Sequence, residues 1–329
     1  MKLARRLAIV LLAGAAAAGW CGWRITQPYQ GFGAETFVEF PRGAGSRALA
    51  AELAQAGVIR SQWDFLVVRA LAPTRRLRAG EYRFTQAASP LGVFDRIARG
   101  DAFYYTLVVP EGKNMFDIAA AAANLGLFQA HEFTDAARDP SPIRGLDPDA
   151  PTLEGYLFPS TYRVGRHATP GALCRMMTAR FREAWSGLGS AAPVHRTVTL
   201  ASLVEKESKL PDERPRVAAV FVNRLRLGMT LDCDPSTIYA ALVEQRYRGT
   251  IHRSDLANEN PYNTYRHAGL PPGPIANPGL DAIRAALAPA DTDALYFVLR
   301  PDGSGAHQFS SNIAAHQAAV AVYRRAKKK

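Results

Sequence analysis

Thr106-Leu107-Val108-Val109-Pro110-Glu111-Gly112 echoes Phe37-Val38-Glu39-Phe40-Pro41-Arg42-Gly43, 69 residues earlier, and this echo sets the architecture. Without a gap, Ala48 to Ile59, ending Ala56-Gly57-Val58-Ile59, then matches Asp117 to Phe128, ending Leu125-Gly126-Leu127-Phe128. Each copy reads as a strand, a Pro-x-Gly turn, and an Ala-rich helix closed by Gly at its C-terminal end. Working outward, Ala79-Gly80-Glu81-Tyr82-Arg83-Phe84 predicts a further strand. Ser89-Pro90 is an N-cap followed by proline at the first helical position, opening a helix over Leu91 to Arg99. The second copy is expected to draw its strand from Gly155-Tyr156-Leu157-Phe158, after which Thr169-Pro170 opens a helix from Gly171 to about Trp185. The fold class is α+β. Modules this small usually bind or position a substrate.

The chain of 329 residues is long enough for two domains and a sizeable core. Its net charge of +11 suits nucleic acid, anionic lipid or an anionic polymer such as cell wall. The arginines are scattered, only Lys327-Lys328-Lys329 forms a run, and no nucleic-acid motif is present, so nucleic acid is not an expected partner. Lys2, Arg5 and Arg6 precede Leu7 to Trp23, an uncharged run of 17 residues rich in Ala and Leu. As a helix it would be about 25 Å long, at the short end of what crosses a bilayer. Trp20 and Trp23 close it as interfacial aromatics do. The reading is a cytoplasmic tail over 1–6 and a single-pass anchor over 7–23, with everything after Arg24 outside. A cleaved signal peptide is the rival, because Ala15 to Ala18 offer small residues. Cys21, Cys174 and Cys233 make no disulfide framework. A Cys174–Cys233 bridge is allowed, but two small buried hydrophobes is the preferred reading.

Gly187 to Pro193 reads as a linker. Beyond it, Val198 to Leu210 predicts a helix stopped by Pro211, and Asp212 is the expected cap of the next, Pro215 to Leu227. There Val217, Val220, Phe221 and Leu225 keep helical spacing, and Gly228 ends the run. Asp234-Pro235 opens a short helix through Leu242. Asn258 to Pro278 has little regular pattern, and a loop that long in a folded domain is usually functional. A helix over Leu280 to Ala288, a strand over Ala294 to Leu299, a partner strand at His307-Gln308-Phe309 and a helix over Asn312 to Arg325 complete the chain.

Leu200-Ala201-Ser202-Leu203-Val204-Glu205-Lys206-Glu207-Ser208 carries the chemistry. At about 100° per residue, Leu200, Leu203, Val204 and Glu207 share one face, with Glu205 roughly opposite. A carboxyl held against apolar side chains has a raised pKa and suits proton donation near neutral pH. Beside a polar, aromatic, Gly/Pro-rich loop that could line a cleft, that suits glycosidic cleavage, in which such an acid protonates the leaving oxygen. The plainer alternative is a helix end with Glu207 partly exposed or paired with Lys206 or Lys209. A hydrolase would need a second carboxylate, for which Asp232, Asp234 and Glu205 are candidates. A substrate hydroxyl attacking the anomeric carbon would need only one. His252, His267, His307 and His316 lack paired ligand spacing, so neither a metal nor another cofactor is expected. Ser202 and Ser208 lie outside any nucleophile elbow.

With these residues quoted, a resemblance emerges. The Leu200–Ser208 run, Asn223-Arg224-Leu225-Arg226-Leu227-Gly228-Met229, Asp234-Pro235-Ser236-Thr237-Ile238-Tyr239, Tyr262-Asn263-Thr264-Tyr265 and Gly269-Leu270-Pro271-Pro272-Gly273 together resemble the endolytic murein transglycosylases, the MltG or YceG-like family. Glu154-Gly155-Tyr156-Leu157-Phe158-Pro159-Ser160-Thr161-Tyr162, His307-Gln308-Phe309 and Asn312 also fit. Cys233 departs from the pattern, standing where a polar residue such as Thr is expected, and bears on no assigned role.

The resemblance implies an enzyme of the bacterial inner membrane, with its catalytic domain outside the cytoplasm, that cuts nascent peptidoglycan at the MurNAc–GlcNAc bond. The muramyl C6 hydroxyl would close a 1,6-anhydro ring, and release of strands would set glycan length. It also implies a LysM-like accessory module, assigned to residues 36–101. A mixed α/β transglycosylase domain follows over 104–326, divided into a repeat-like part, 104–186, and a catalytic part, 194–326. Partners would be glycan strands, peptidoglycan synthases and the elongation or division machinery. Glu207, followed by Ser208 as in the transglycosylase pattern, is the expected catalytic residue, with Glu205 the alternative. Glu205, Ser208, Asp234, Asn263, Thr264, Tyr265, His307 and Asn312 are the expected substrate-binding set. Asp234 also reads as a helix N-cap, and Glu154 as a residue that orients the loop it precedes. A non-catalytic peptidoglycan-binding adaptor is the alternative from another class.

Overall fold

The computed structural model describes residues 2–327; Met1 and the last two lysines of the basic tail, Lys328 and Lys329, lie outside the described residues. Contacts divide the chain into two units, Met1–Tyr104 and Tyr105–Lys329.

The first unit begins with helix α1 (Lys2–Thr26), whose residues Leu3–Thr26 are long and apolar enough to cross a membrane and are almost wholly exposed. The helix outlasts the expected Leu7–Trp23 span because Thr26 closes another turn, donating from Oγ1 to the Trp23 carbonyl at 2.8 Å. Strand β1 (Thr36–Phe40), helices α2 (Ser46–Gln55) and α3 (Gln62–Leu71), strand β2 (Gly80–Phe84) and helix α4 (Pro90–Arg99) follow. β1 and β2 pair antiparallel, Thr36 opposite Phe84 and Phe40 opposite Gly80. Val38, Phe40, Tyr82 and Phe84 alternate inward onto Leu49, Leu53, Phe65, Val68, Phe94 and Ile97. Ser89 caps α4 as its sequence suggests, accepting from the Gly92 N–H at 3.1 Å.

The second unit opens with the same arrangement: β3 (Tyr105–Val109), α5 (Met115–Asn124), α6 (Ala130–Arg138), β4 (Ser160–Val164) and α7 (Pro170–Ser186). β3 pairs antiparallel with β4, Tyr105 opposite Val164. The strand and first helix of the two copies are offset by 69 residues, but the second strand and last helix by 80. The second copy is therefore 11 residues longer, between α6 and β4. This insertion corrects one expectation: the second strand is Ser160–Val164, and Gly155–Phe158 is a buried turn. Gly155 has φ +88° and lies so close to Pro274 that a Cβ would sit 2.4 Å from its ring. The Leu157 N–H is satisfied by Asn277 Oδ1 at 2.9 Å instead of a strand neighbour.

After α7 come α8 (Val194–Glu207), a 3-10 turn (Pro211–Glu213), α9 (Arg214–Arg226), α10 (Asp234–Val243) and α11 (Arg253–Leu256). They are followed by α12 (Leu280–Leu287), the antiparallel hairpin β5 (Tyr296–Leu299) and β6 (His307–Ser310), and α13 (Ile313–Ala326). α8 starts four residues before the expected Val198 and stops at Glu207, where Ser208 turns extended with φ −116° and ψ 120°. Asp212 does not cap α9; it is exposed, and the 3-10 turn supplies the helix entry. Cys174 and Cys233 are both buried free thiols.

Glu154, inside the insertion, joins the repeat-like part to the rest of this unit. Its Oε2 accepts from the Met115 N–H at 2.9 Å and its Oε1 from Asn277 Nδ2 at 2.8 Å, so it sits at the α5 N-terminus. Burial pushes its pKa up to about 8, against the pull of the Met115 N–H and the Tyr239 hydroxyl. The native state thus holds a proton that the unfolded chain releases near 4.5, and this group's contribution to stability falls as pH rises from there to about 8. Glu154→Gln is expected to flatten that fall. Chemical denaturation from pH 5 to pH 9 checks it, an unchanged slope being the contrary result.

Candidate active site

α8 is enclosed from Thr197 to Val204 because α9, α10 and α12 pack around it. Leu200, Leu203 and Val204 join Val217, Val220 and Phe221 in one cluster, and Glu207 follows them as the last helical residue. Glu205 does not reach solvent on the far side, as an amphipathic reading would have it. Its side chain is 6% exposed, pairs with Arg214 Nη2 at 3.0 Å and accepts from the Gly279 N–H at 3.0 Å. The correction follows from burial on more than one side, which removes the solvent face that helical periodicity presumes.

Glu207 is partly buried and closely surrounded. The Cys233 thiol donates to its Oε1 at 3.2 Å. Burial raises its pKa, and the Asp234 carboxylate adds to the rise, while the Cys233 donor and the His307 ring oppose it. Lying at the carbonyl end of α8 acts in the same direction as burial. His307 is 5% exposed, and its orientation is fixed by Glu213. The imidazole Nδ1 lies 2.7 Å from Glu213 Oε2, and the His307 backbone N–H donates to both carboxylate oxygens at 3.0 and 3.1 Å. The proton therefore sits on Nδ1, and Nε2 is the nitrogen left for a ligand. Asp234 caps nothing with its side chain; its Oδ1 accepts from the Tyr265 hydroxyl at 2.6 Å.

The long loop supplies a frame more than a binding face. Asn263 is fully buried: its Nδ2 donates to the carbonyls of Asp255, Leu256 and Asn258, and its Oδ1 accepts from Thr237 Oγ1 and the Tyr265 N–H. Thr264 Oγ1 accepts from the Cys233 N–H at 3.1 Å and shares a proton with Ser236 Oγ at 2.8 Å. The expected sugar contacts of Asn263 and Thr264 are corrected on this ground, since their polar atoms are spent on the protein. Ser208 Oγ likewise donates to the Leu210 carbonyl, and the exposed Asn312 caps α13, its Oδ1 accepting from the Ala315 N–H at 2.9 Å. Of the predicted set, Glu207, Asp234, Tyr265 and His307 come together.

Residues 38–322 match the sequence profile of the YceG-like family. The chain belongs to that family. It is 30% identical over 309 residues to a Bacillus subtilis protein named endolytic murein transglycosylase, covering 87% of this chain and 84% of that one. A Streptococcus pneumoniae protein of the same name is 29% identical over 79% of this chain, which spans about half (53%) of that longer relative. The crystal structure of a YceG-like protein from Listeria monocytogenes superposes with a TM-score of 0.55 at 28% identity, covering 86% of this chain and 98% of that one.

Several residues of this YceG-like site escaped sequence reasoning. Cys233 touches Glu207, so its departure from the expected Thr does bear on the site. Arg224, on the Asn-Arg-Leu-Arg-Leu-Gly-Met run, donates to the carbonyls of Thr230, Leu231 and Leu295 and to Asp232 Oδ2, holding the approach to Cys233 against the hairpin. Glu213 and Arg214 gave no periodic signal, lying between Pro211 and Pro215 where a short turn meets the start of α9. A cavity of about 1000 Å³ lies elsewhere, between the hairpin and α13, where Arg216 stacks 4.0 Å over Phe309.

Cys233→Ala removes a donor that favours the ionised form of Glu207. The Glu207 pKa is then expected to rise further, moving the alkaline limb of the pH–activity profile upward, because activity that needs the protonated acid falls as pH passes its pKa. Measuring kcat/KM against pH for both proteins decides it; coincident limbs would rule out the Cys233 contact as a tuning device.

Proposed function

We propose that this protein is an endolytic lytic transglycosylase that cleaves the MurNAc–GlcNAc bond of nascent peptidoglycan and leaves 1,6-anhydro-MurNAc ends. Glu207 enters the reaction protonated, favoured by its burial and by the adjacent Asp234. It gives its proton to the glycosidic oxygen as the bond to the muramyl C1 breaks. The carboxylate so formed then takes the proton of the C6 hydroxyl, whose oxygen bonds to C1 and closes the anhydro ring.

The observation that carries this reading is the engagement of every other candidate carboxylate. Glu205 is bound by Arg214 and the Gly279 N–H, Asp232 by Arg224, and Asp234 by the Tyr265 hydroxyl. That supports a single working carboxyl, with the substrate supplying the nucleophile. Asp234, Tyr265 and His307 would hold sugars beside Glu207, since the Tyr265–Asp234 bond uses only Oδ1 of the carboxylate and the proton of the hydroxyl. Digestion of purified glycan strands in heavy-oxygen water tests the chemistry: anhydro ends carrying no solvent oxygen are expected, and labelled reducing ends would establish a hydrolase.

In the cell, α1 would anchor the protein in the inner membrane with its amino terminus in the cytoplasm, by the charge of Arg5 and Arg6. The residue 36–101 module, whose two helices lie between antiparallel strands, would act as a LysM-like accessory to glycan handling. Peptidoglycan synthases and the elongation or division machinery are the partners this role calls for.

A further inference from the structure

We propose that α3 is an interfacial helix whose outward face lies in the headgroup layer of an anionic bilayer, setting the first unit's module down on the membrane surface. The inference rests on α1 being a membrane helix and goes beyond it. α3 reads Gln-Trp-Asp-Phe-Leu-Val-Val-Arg-Ala-Leu, and Phe65 and Val68 fill the module core. Facing away from that core are Trp63, 67% exposed, the partly buried Val67, the exposed Ala70, and Leu71, 71% exposed. Their spacing of i, i+4, i+7 and i+8 makes one uncharged stripe. The charges of the helix are used elsewhere: Arg69 donates to the carbonyls of Ala72, Pro73 and Arg75, closing the C-terminal end.

What covers the stripe is indicated by its tether. Arg24 is the first charge after the apolar run of α1 and pairs with Asp64, the neighbour of Trp63, at 2.8 Å. The same guanidinium lies 4.9 Å over Trp20, and Trp20 and Trp23 are themselves exposed like an interfacial belt. The first turn of α3 is thus held where the membrane helix emerges. Exposed Arg60 precedes α3 and exposed Arg76 follows it, a cationic flank matched to lipid phosphates, while the neighbouring Arg75 is paired with Asp95.

The test is spin labelling of the full chain in nanodiscs, in a Cys21→Ala background, Cys174 and Cys233 being buried. A nitroxide on Ala70→Cys is expected to meet oxygen more readily than a water-soluble nickel chelate in anionic nanodiscs. Adding Arg60→Glu and Arg76→Glu is expected to reverse that ratio. A label on Ala13→Cys reports α1 independently. If that label is immersed while Ala70→Cys stays nickel-accessible, the proposal fails and the anchor reading survives. If both are nickel-accessible, the anchor reading fails with it. A Trp63 fluorescence change on adding glycan strands, with Ala70→Cys in water, would assign the stripe to sugar and overturn the lipid assignment.

Discussion

Glu207→Gln is expected to reduce formation of anhydro-muramyl ends by about 10²- to 10⁴-fold, the range that positioned acid–base groups supply. The amide keeps the shape of the side chain and can still accept from Cys233, but has no proton to give to a glycosidic oxygen. Folding should be preserved, because the substitution removes a carboxyl whose charged form is disfavoured by burial. Turnover of glycan strands together with thermal unfolding checks both halves. A stable Glu207→Gln protein retaining near-native turnover would remove Glu207 from the mechanism.

Glu205→Ala should do the reverse. Arg214 and Glu205 are 8% and 6% exposed and 3.0 Å apart, so the truncation strands a buried guanidinium, with only the half-exposed Glu111 3.7 Å away. Breaking a buried pair in this way costs about 3–5 kcal/mol. At roughly 2–4 °C per kcal/mol for a domain of this size, the melting temperature should fall by about 6–20 °C. The Gly279 N–H at the start of α12 loses its acceptor as well. Glu205→Gln keeps that acceptor and should fall between wild type and Glu205→Ala in stability, with turnover per folded molecule largely intact. Loss of turnover without loss of stability would exchange the roles of the two glutamates.

Local signals carried much of the architecture. The repeat reads from the chain compared with itself, and the Ser89 and Thr169 caps with their prolines read from neighbouring residues, whereas Asn312, expected at the substrate, caps α13. The start of α8 was hidden because His195, Arg196 and Thr197 break the apolar period. His195 instead makes distant contacts, its Nδ1 2.9 Å from Asp147 Oδ2 and its Nε2 3.0 Å from the Pro272 carbonyl. Within the site, Glu207 stood out because apolar neighbours flank it at helical spacing. The partners that tune it could not, since the Glu207–Cys233 contact spans 26 residues and the Glu213–His307 contact 94. Polar side chains in a Gly/Pro-rich loop look alike whether they face sugar or the protein itself; Asn263 and Thr264 proved to face the protein.

The 11 added residues of the second copy give the two halves of the duplication different fates. Tyr156 and Leu157 from the insertion share a single hydrophobic cluster with Val198 and Ala201 of α8 and with Ala282 and Ile283 of α12. The repeat unit there has become part of a larger core. Severed at Gly187–Pro193, neither fragment would keep a closed interior, whereas a cut beside Tyr104 leaves each unit's core whole. One copy of the repeat thus closes its own core, and the other shares its core with the helices that carry Glu207.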